Sequence, residues 1–357
     1  MSGANIARID EGELLLAEGK AAESLRLFEQ VLEAGADFMA LHGRASALHM
    51  LGRSAEALAD FDAALCLRPA DIAATANRSH VLQTMGRHDE ALEGYDRILQ
   101  LRPDFAPILY SRSNVLQELN RFDEALAGYD RVLAQNPADP AARNNRGNVL
   151  MKMRRYPEAL ADFDAVLAML PGELDPKLAL AATAELRGAH TDATRYYEVA
   201  WRTNHTFYSA AFGLARERAR AGDRAGAIAT LDQINPASAH FTAAGIAAVE
   251  ILLDGRTADD IDEPALLDAG KRASSLTIES VAKREKLRLN VLGAALGWLE
   301  AGNTPKAARL LGCDFDEDGI RTGMEQCYRA LAHETTDVWG RIDLVEKANA
   351  VRPRTRL

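Results

Sequence analysis

One residue pattern, repeated four times between Arg53 and Pro171, constrains the fold of this chain more than any other feature. Each copy has a small residue, an aromatic residue four positions later and a closing proline, and the copies recur every 34 residues. In that order the positions are Ala57, Ala91, Ala125 and Ala159; Phe61, Tyr95, Tyr129 and Phe163; and Pro69, Pro103, Pro137 and Pro171. Residues four apart share one face of a helix, and proline cannot continue a helix. Each copy therefore predicts a pair of antiparallel helices.

This combination of period and residue types resembles the tetratricopeptide repeat. The resemblance implies an all-α fold, a right-handed superhelical solenoid in which each helical pair buries its apolar face against its neighbours. Residues 5–37 indicate a degenerate first repeat, and Ala193 and Ala227 continue the alanine series into two further helical pairs. We therefore expect an N-terminal array over residues 1–171, built from one degenerate and four regular repeats.

The repeat phase is lost after Pro236, but helical spacing of apolar residues continues. The predicted helices are 241–253, 264–275, 280–301, 304–312, 320–333 and 336–350. No stretch has the alternation of a strand. We expect a single curved solenoid without β structure.

Five stretches of the C-terminal half carry a second resemblance. In chain order they are GELDPKLALAATAE (172–185), SAAFGLAR (209–216), GDRAGAIATLD (222–232), VLGAALGWL (291–299) and LVEKANAVRP (344–353). They are similar to the C-terminal tetratricopeptide region of the bacterial soluble Ser/Thr protein kinase G family. The resemblance covers residues 172–357 and implies a second helical domain, which in that family is a regulatory and dimerisation platform. It further implies a separately encoded Ser/Thr kinase or phosphoprotein as partner, and a possible homodimer.

The catalytic motifs of that family are absent from this sequence. There is no Gly-rich nucleotide loop, no Val-Ala-Ile-Lys strand, no His-Arg-Asp loop and no Asp-Phe-Gly. The rubredoxin-like cysteine pairs are missing as well, because Cys66, Cys313 and Cys327 form no CxxC motif. The histidines are dispersed and have no metal-ligand or nucleophile–base spacing. We expect no enzymatic activity and no cofactor.

Charge and hydropathy exclude several classes of partner. The net charge is −10 and the pI is 5.4, whereas general nucleic-acid binding needs a basic field. The longest apolar stretch, 242–253, contains Glu250 and is too short to span a bilayer. The first residues lack the basic start and apolar run of a secretory signal. We expect a cytoplasmic protein that binds neither nucleic acid nor membrane.

The first helix of each repeat should line the concave face of the array, and it carries a row of polar side chains. The candidate peptide-binding residues are Asn77, His80, Tyr110, Asn114, Asn144, Asn145 and Asn148. A carboxamide donates to and accepts from one peptide unit at the same time. The row therefore suits an extended peptide held by its backbone. The alternative is that asparagine is a frequent residue at these positions and is satisfied by water.

Two charged series also follow the 34-residue step. They are Arg44, Arg78, Arg112 and Arg146, and Asp62, Asp96, Asp130 and Asp164. The structural interpretation is a guanidinium that bridges helices to a carboxylate, and the pair we single out is Arg112 with Asp130. The functional alternative, anchors for an acidic or phosphorylated ligand, requires these arginines to be exposed and unpaired.

One acidic segment matches the calcium-loop pattern D-x-D-x-D-G-x5-E. Its acidic residues are Asp314, Asp316, Asp318 and Glu325. Arg321 stands at the eighth position, which is usually apolar, and the kinase G family has a loop here without these acids. We therefore expect a solvated acidic turn and no metal, with calcium binding as the alternative.

Together these patterns predict a non-catalytic adaptor that binds a peptide segment or protein partner in Ser/Thr kinase-linked signalling. Two alternatives remain at this point. One is a general protein-interaction scaffold unrelated to kinases. The other is a calcium-regulated switch, which rests on the acidic segment alone.

Overall fold

The computed structural model describes residues 3–353, and within that range almost every element is a helix. The chain divides into two compact units, Met1–Pro176 and Lys177–Leu357. The all-α prediction is confirmed.

The helices of the first unit form consecutive antiparallel pairs, one for the degenerate repeat and one for each regular repeat. The pairs are α1 (Gly3–Ala17) with α2 (Ala21–Leu32), α3 (Phe38–Met50) with α4 (Ser54–Leu67), α5 (Ile72–Thr84) with α6 (His88–Leu101), α7 (Ala106–Glu118) with α8 (Phe122–Gln135), and α9 (Pro140–Lys152) with α10 (Tyr156–Met169). We call the first member of each pair the first helix and the other the second helix. The closing prolines lie in the turns between pairs.

The second unit continues with helical pairs and then departs from the repeat. Its helices are α11 (Asp175–Arg187), α12 (His190–Thr203), α13 (Tyr208–Arg220), α14 (Arg224–Leu231), α15 (Phe241–Leu253), α16 (Glu263–Ser275), α17 (Val281–Glu300), α18 (Glu317–Glu334) and α19 (Val338–Val351). The alanine series continues into the core here, because Ala193 and Ala227 are fully buried.

The predicted helix over 304–312 is wrong, and so is the expectation that the chain has no strand. Strands β1 (Arg309–Leu310) and β2 (Cys313–Asp314) pair antiparallel around a two-residue turn. Both turn residues, Leu311 and Gly312, have positive φ, as a tight hairpin turn requires. Tertiary packing explains the hairpin: Leu310 is buried, and its side chain fills the space where Gly270 of α16 has no Cβ.

Close approach of helices at the alanine positions builds the core of the first unit. The four alanines and the four aromatic residues of the regular repeats are all at most 1% exposed. An alanine lets the backbones of two helices approach, and the aromatic ring four residues later fills the space beside them. The predicted core positions are confirmed.

The turn inside each regular repeat has one residue in the left-handed region. It is Gly52, Gly86, Asn120 and Arg154 in chain order, with φ between 59° and 76°. The following amide bonds back to the carbonyl five residues earlier, as in Arg87 N to Leu82 O at 2.9 Å, which is the Schellman arrangement. Arg154 thus adopts a conformation that its Cβ disfavours.

We expect Arg154→Gly to stabilise the protein by about 0.5–1 kcal/mol. Glycine removes the steric cost of positive φ, and the larger backbone entropy that glycine loses on folding cancels only part of this gain. The matched control is Gly86→Ala, which should destabilise by about 1 kcal/mol at the equivalent turn. Urea denaturation followed by circular dichroism measures both. A loss of stability in Arg154→Gly would contradict this account of the turn.

The arginine and aspartate series meet between repeats and not within them. Arg78 Nε lies 2.5 Å from Asp62, Arg112 Nε lies 2.6 Å from Asp96, and Arg146 Nη1 lies 2.7 Å from Asp130. The pairing of Arg112 with Asp130 is therefore wrong. The second helix of one repeat packs against the first helix of the next, so the acid that reaches Arg112 belongs to the preceding repeat.

Two further aspartates, which the periodic series does not include, pair within a repeat. Asp60 accepts two hydrogen bonds from Arg44, both at 2.6 Å, and Asp162 accepts two from Arg146, at 2.8 and 2.6 Å. The Asp162 side chain is only 3% exposed, whereas that of Asp96 is 47% exposed. Bidentate arginine–carboxylate pairs are stronger than single contacts, so these two acids hold their helix pairs more firmly than the repeated ones.

We expect Asp162→Asn to cost about 1.5–3 kcal/mol of unfolding free energy, because a buried group then loses its charge-assisted hydrogen bonds. Asp96→Asn, the same change at an exposed carboxylate, should cost less than about 1 kcal/mol. Chemical denaturation of the two variants side by side tests the difference. Equal effects would show that burial does not separate the two kinds of pair.

Candidate functional site

Polar side chains join neighbouring first helices in a continuous row. Each contact connects residues 35 positions apart, which is one repeat plus one residue, and two of the three contacts join equivalent positions of the repeat. The pairs are His42 with Asn77 at 3.1 Å, Gln83 with Glu118 at 3.1 Å, and Tyr110 with Asn145 at 2.9 Å. Three of the predicted residues, Asn77, Tyr110 and Asn145, take part in these contacts between first helices.

Asn114 and Asn145 are tied into the packing beneath this row. Asn114 Oδ1 accepts from the Tyr129 hydroxyl at 2.6 Å and from Asn145 Nδ2 at 3.0 Å. Asn145 also donates to Tyr110, whose ring meets that of Tyr129 edge-on, and burial raises the pKa of Tyr129. Of the candidate peptide-binding residues, Asn114 and Asn145 therefore already bond to groups packed within and between repeats.

The other predicted residues make fewer hydrogen bonds to neighbouring helices. Asn77 and His80 are exposed, and His80 stacks edge-on against His49. Asn144 and Asn148 are half-buried, and within residues 3–353 their side chains make no hydrogen bond. Burial lowers the pKa of His42, so its neutral ring nitrogen accepts the hydrogen bond from Asn77. Asn77, Asn144 and Asn148 are thus the amides of the row best placed to meet a ligand.

A network of ionic side chains lies in the second unit, between α11, α12 and α13. Glu217 is fully buried and contacts His190 at 2.9 Å and Arg220. Glu185 accepts two hydrogen bonds from Arg216, each at 2.6 Å, and these lower the pKa of the Glu185 carboxyl. Since a cation already pairs with each acid, the network serves helix packing and offers no uncommitted base.

The acidic segment does not form a calcium-binding loop. Such a loop would wrap residues 314–325 around one ion, but α18 begins at Glu317. Asp316 caps that helix by accepting from Gly319 N at 2.7 Å, and Glu325 pairs with Arg329 at 2.7 Å. Among the described residues, no group of three or more histidine, cysteine or acidic side chains is placed to hold a metal ion.

None of the described helices combines the length and the apolar character that crossing a bilayer requires.

Comparison with known families supports both resemblances. The family model described as protein kinase G tetratricopeptide repeat matches residues 115–355, and a general tetratricopeptide repeat model matches 9–75 and 77–140. The predicted kinase G resemblance is confirmed, and the match begins earlier in the chain than residue 172.

Curated relatives include two mycobacterial kinases. The serine/threonine-protein kinase PknG of Mycobacterium leprae is 44% identical over 187 residues, which is 52% of this chain and 24% of that protein. PknG of Mycolicibacterium smegmatis is 45% identical over 184 residues, with the same shares. The chain therefore spans about a quarter of the length of these relatives.

Two solved structures share the fold. A tetratricopeptide repeat protein from Parabacteroides merdae has a TM-score of 0.53 at 22% identity and covers 71% of this chain and 98% of its own. The C-terminal part of a TPR repeat-containing protein from Cytophaga hutchinsonii has a TM-score of 0.56 at 16% identity, covering 66% and 98%. They show a tetratricopeptide fold. Because the specific family model matches more than half of its residues, the chain belongs to the protein kinase G tetratricopeptide repeat family.

Proposed function

We propose that this protein is a non-catalytic adaptor that holds an extended segment of a partner protein along the first-helix face of its first unit. Tetratricopeptide arrays are protein-interaction scaffolds, and both family models describe that kind of repeat. The family match lies in the tetratricopeptide region of the relatives and not in a kinase domain.

The observation that carries this proposal is the row of polar contacts every 35 residues. An extended peptide presents one donor and one acceptor per residue, and an asparagine side chain satisfies both. Asn77 belongs to that row and is exposed, and Asn144 and Asn148 lie beside it on α9 with half-buried amides that make no hydrogen bond within residues 3–353. A segment bound there would be recognised by its extended backbone more than by its sequence.

The link to kinase signalling forms a finer part of the proposal. The curated relatives are serine/threonine kinases, and this chain corresponds to a part of them. A separately encoded Ser/Thr kinase, or a protein that such a kinase phosphorylates, is therefore the partner class we propose, in the cytoplasm. A general scaffold without a kinase partner is the competing function.

We expect the double variant Asn77→Ala, Asn148→Ala to weaken partner binding about tenfold or more, because each lost amide leaves peptide groups unpaired at roughly 1 kcal/mol each. The free energy of unfolding should fall by no more than about 1 kcal/mol, since Asn148 makes no side-chain hydrogen bond within residues 3–353 and Asn77 makes one, to the ring of His42. Affinity capture from the native cell with quantitative mass spectrometry, followed by calorimetry on the recovered segment, measures the loss.

The control for this experiment is Arg155→Gln, at the residue that precedes α10, which removes an exposed ion pair with Glu158 away from the row. Partners that bind the double variant as well as the wild type would place recognition elsewhere. If the partners lost from the double variant include no kinase and no phosphoprotein, the general scaffold is favoured.

Asn145→Ala should behave differently from that double variant. It removes two hydrogen bonds between α7 and α9, so we expect a loss of about 1–2 kcal/mol in unfolding free energy. Thermal and urea denaturation measure this directly. An unchanged stability would mean that the bridge to Asn114 and Tyr110 contributes nothing to the array.

A further inference from the structure

The two inner regular repeats differ from the two outer ones at three structurally linked positions. The position before the core aromatic is Asp60, Gly94, Gly128 and Asp162 in chain order. The position two residues after the aromatic is Ala63, Arg97, Arg131 and Ala165, and the facing position on the first helix is Ala45, Ser79, Ser113 and Gly147. The inner repeats thus exchange an aspartate for glycine and an alanine for arginine, a change of two positive charges per repeat.

In the outer repeats the aspartate accepts two hydrogen bonds from one guanidinium. Asp60 binds Nε and Nη2 of Arg44, and Asp162 binds the same two nitrogens of Arg146. Arg146 shows that one arginine can hold two acids at once, because its Nη1 also donates to Asp130 of the preceding repeat.

In the inner repeats the same arginines lack this carboxylate. Arg78 and Arg112 bond to the acid of the preceding repeat through Nε alone, and within residues 3–353 their terminal nitrogens make no hydrogen bond. The nearest further acid to Arg112, Glu124, is 4.0 Å away and already binds Arg121 through both oxygens.

The missing aspartates leave two equivalent clefts, which we call the Gly94 cleft and the Gly128 cleft, of about 500 and 460 Å³. They open between successive second helices, away from the first-helix face. The Ser79 and Ser113 hydroxyls occupy the places of the missing Cβ atoms, 2.0 Å from where those atoms would be. The serines are buried and bond to backbone carbonyls, so they close the floor of each cleft and leave the arginine on its wall.

A second arginine lines each cleft. In the Gly128 cleft it is Arg131, which donates to Asp104 at 2.8 Å. In the Gly94 cleft it is Arg97. The residue equivalent to Asp104 is Ala70 there, so Arg97 has no acid to bond to at that position, and it makes no hydrogen bond or ion pair within the described residues. Each cleft therefore combines a half-buried guanidinium that has open donors with a second, more exposed one.

We propose that the Gly94 and Gly128 clefts bind the carboxylate side chains of an acidic peptide segment, each carboxylate taking the place that Asp60 and Asp162 hold in the outer repeats. To bind, Arg78 or Arg112 would transfer the acid of the preceding repeat from Nε to Nη1 and hold the ligand through Nε and Nη2, which is the arrangement that Arg146 has with Asp130 and Asp162. The clefts open between second helices, away from the asparagine row, and the proposal is independent of the function proposed above.

The surroundings favour a carboxylate over a phosphoryl group and a peptide over a single small acid. Acids line both clefts beside the arginines: Asp62, Glu90 and Glu93 in the Gly94 cleft, and Asp96 and Glu124 in the Gly128 cleft. These acids would repel a dianion more strongly than a singly charged carboxylate. Two like clefts in consecutive repeats let one chain with several acidic side chains occupy both, which raises its apparent affinity.

The test uses fluorescence anisotropy at low salt with a labelled peptide in which glutamate alternates with alanine. A peptide with glutamine in place of glutamate tests for the charge, and one with phosphoserine in place of glutamate tests for the phosphoryl alternative. We expect the glutamate peptide to bind about tenfold or more tighter than either, and its affinity to fall as salt rises.

A filled variant copies the outer repeats into the inner ones: Ser79→Ala, Gly94→Asp, Ser113→Ala and Gly128→Asp. It should fold at least as stably as the wild type, because Ala45 with Asp60 already makes this combination in the chain, and it should bind the glutamate peptide about tenfold or more weaker. A second variant, Arg78→Gln with Arg112→Gln, leaves the clefts open and should lose binding to the same extent. Arg53→Gln with Arg155→Gln is its control, since it removes the same charge from exposed pairs outside both clefts.

Four results would overturn the proposal. They are no measurable binding of the glutamate peptide, equal binding of the glutamine peptide, undiminished binding by a folded filled variant or by Arg78→Gln with Arg112→Gln, and an equal loss in the control. Tighter binding of the phosphoserine peptide would overturn the assignment to carboxylates. None of these results bears on the asparagine row, which has its own variants.

Discussion

The close approach of helices at the buried alanines is the constraint on which the rest of the first unit depends. With a methyl group at Ala57, Ala91, Ala125 and Ala159, the two helices of a repeat come near enough for the aromatic residue four positions later to fill the remaining space. A larger side chain would force the backbones apart, and overpacking of that kind costs about 1–3 kcal/mol. The spacing of helices, and hence of every surface feature, follows from this contact.

Repetition of that contact turns single side chains into rows. Each pair of helices spans 34 residues. A residue on one first helix therefore contacts the residue 35 positions later, on the next first helix. The same translation places an arginine against the aspartate of the preceding repeat again and again. Two faces result, one rich in amides and one rich in charge, and a partner of extended shape suits both.

The informative residues are those that break the repeat. Asp60 and Asp162 complete the coordination of their arginines, whereas Gly94 and Gly128 leave the same arginines with open donors. Ser79 and Ser113 fit only beside a glycine, because their hydroxyls lie where a Cβ at position 94 or 128 would be. The outer repeats have the smaller Ala45 and Gly147 in place of these serines, which leaves room for their aspartates. In the second unit the buried Glu217 differs from these open arginines, since Arg220 and the ring of His190 already contact it in a packed interface.

The sequence by itself determined the helices and the core, because those depend on contacts between residues three, four or 34 apart. The positions of Ala57, Phe61 and Pro69 and of their counterparts define the repeat, and the kinase G relationship could be predicted from five short stretches.

Tertiary structure alone decided which acid meets each arginine. Asp96 and Asp130 lie 16 and 18 residues from Arg112, so distance along the sequence cannot choose between them. The packing of α6 against α7 selects Asp96. Tertiary structure also decided that 309–314 forms a hairpin, because the burial of Leu310 against Gly270 outweighs a local helical preference, and that Asn145 bridges two repeats. Local periodicity fixes which face of a helix is buried, but the partner across an interface depends on how neighbouring helices are placed.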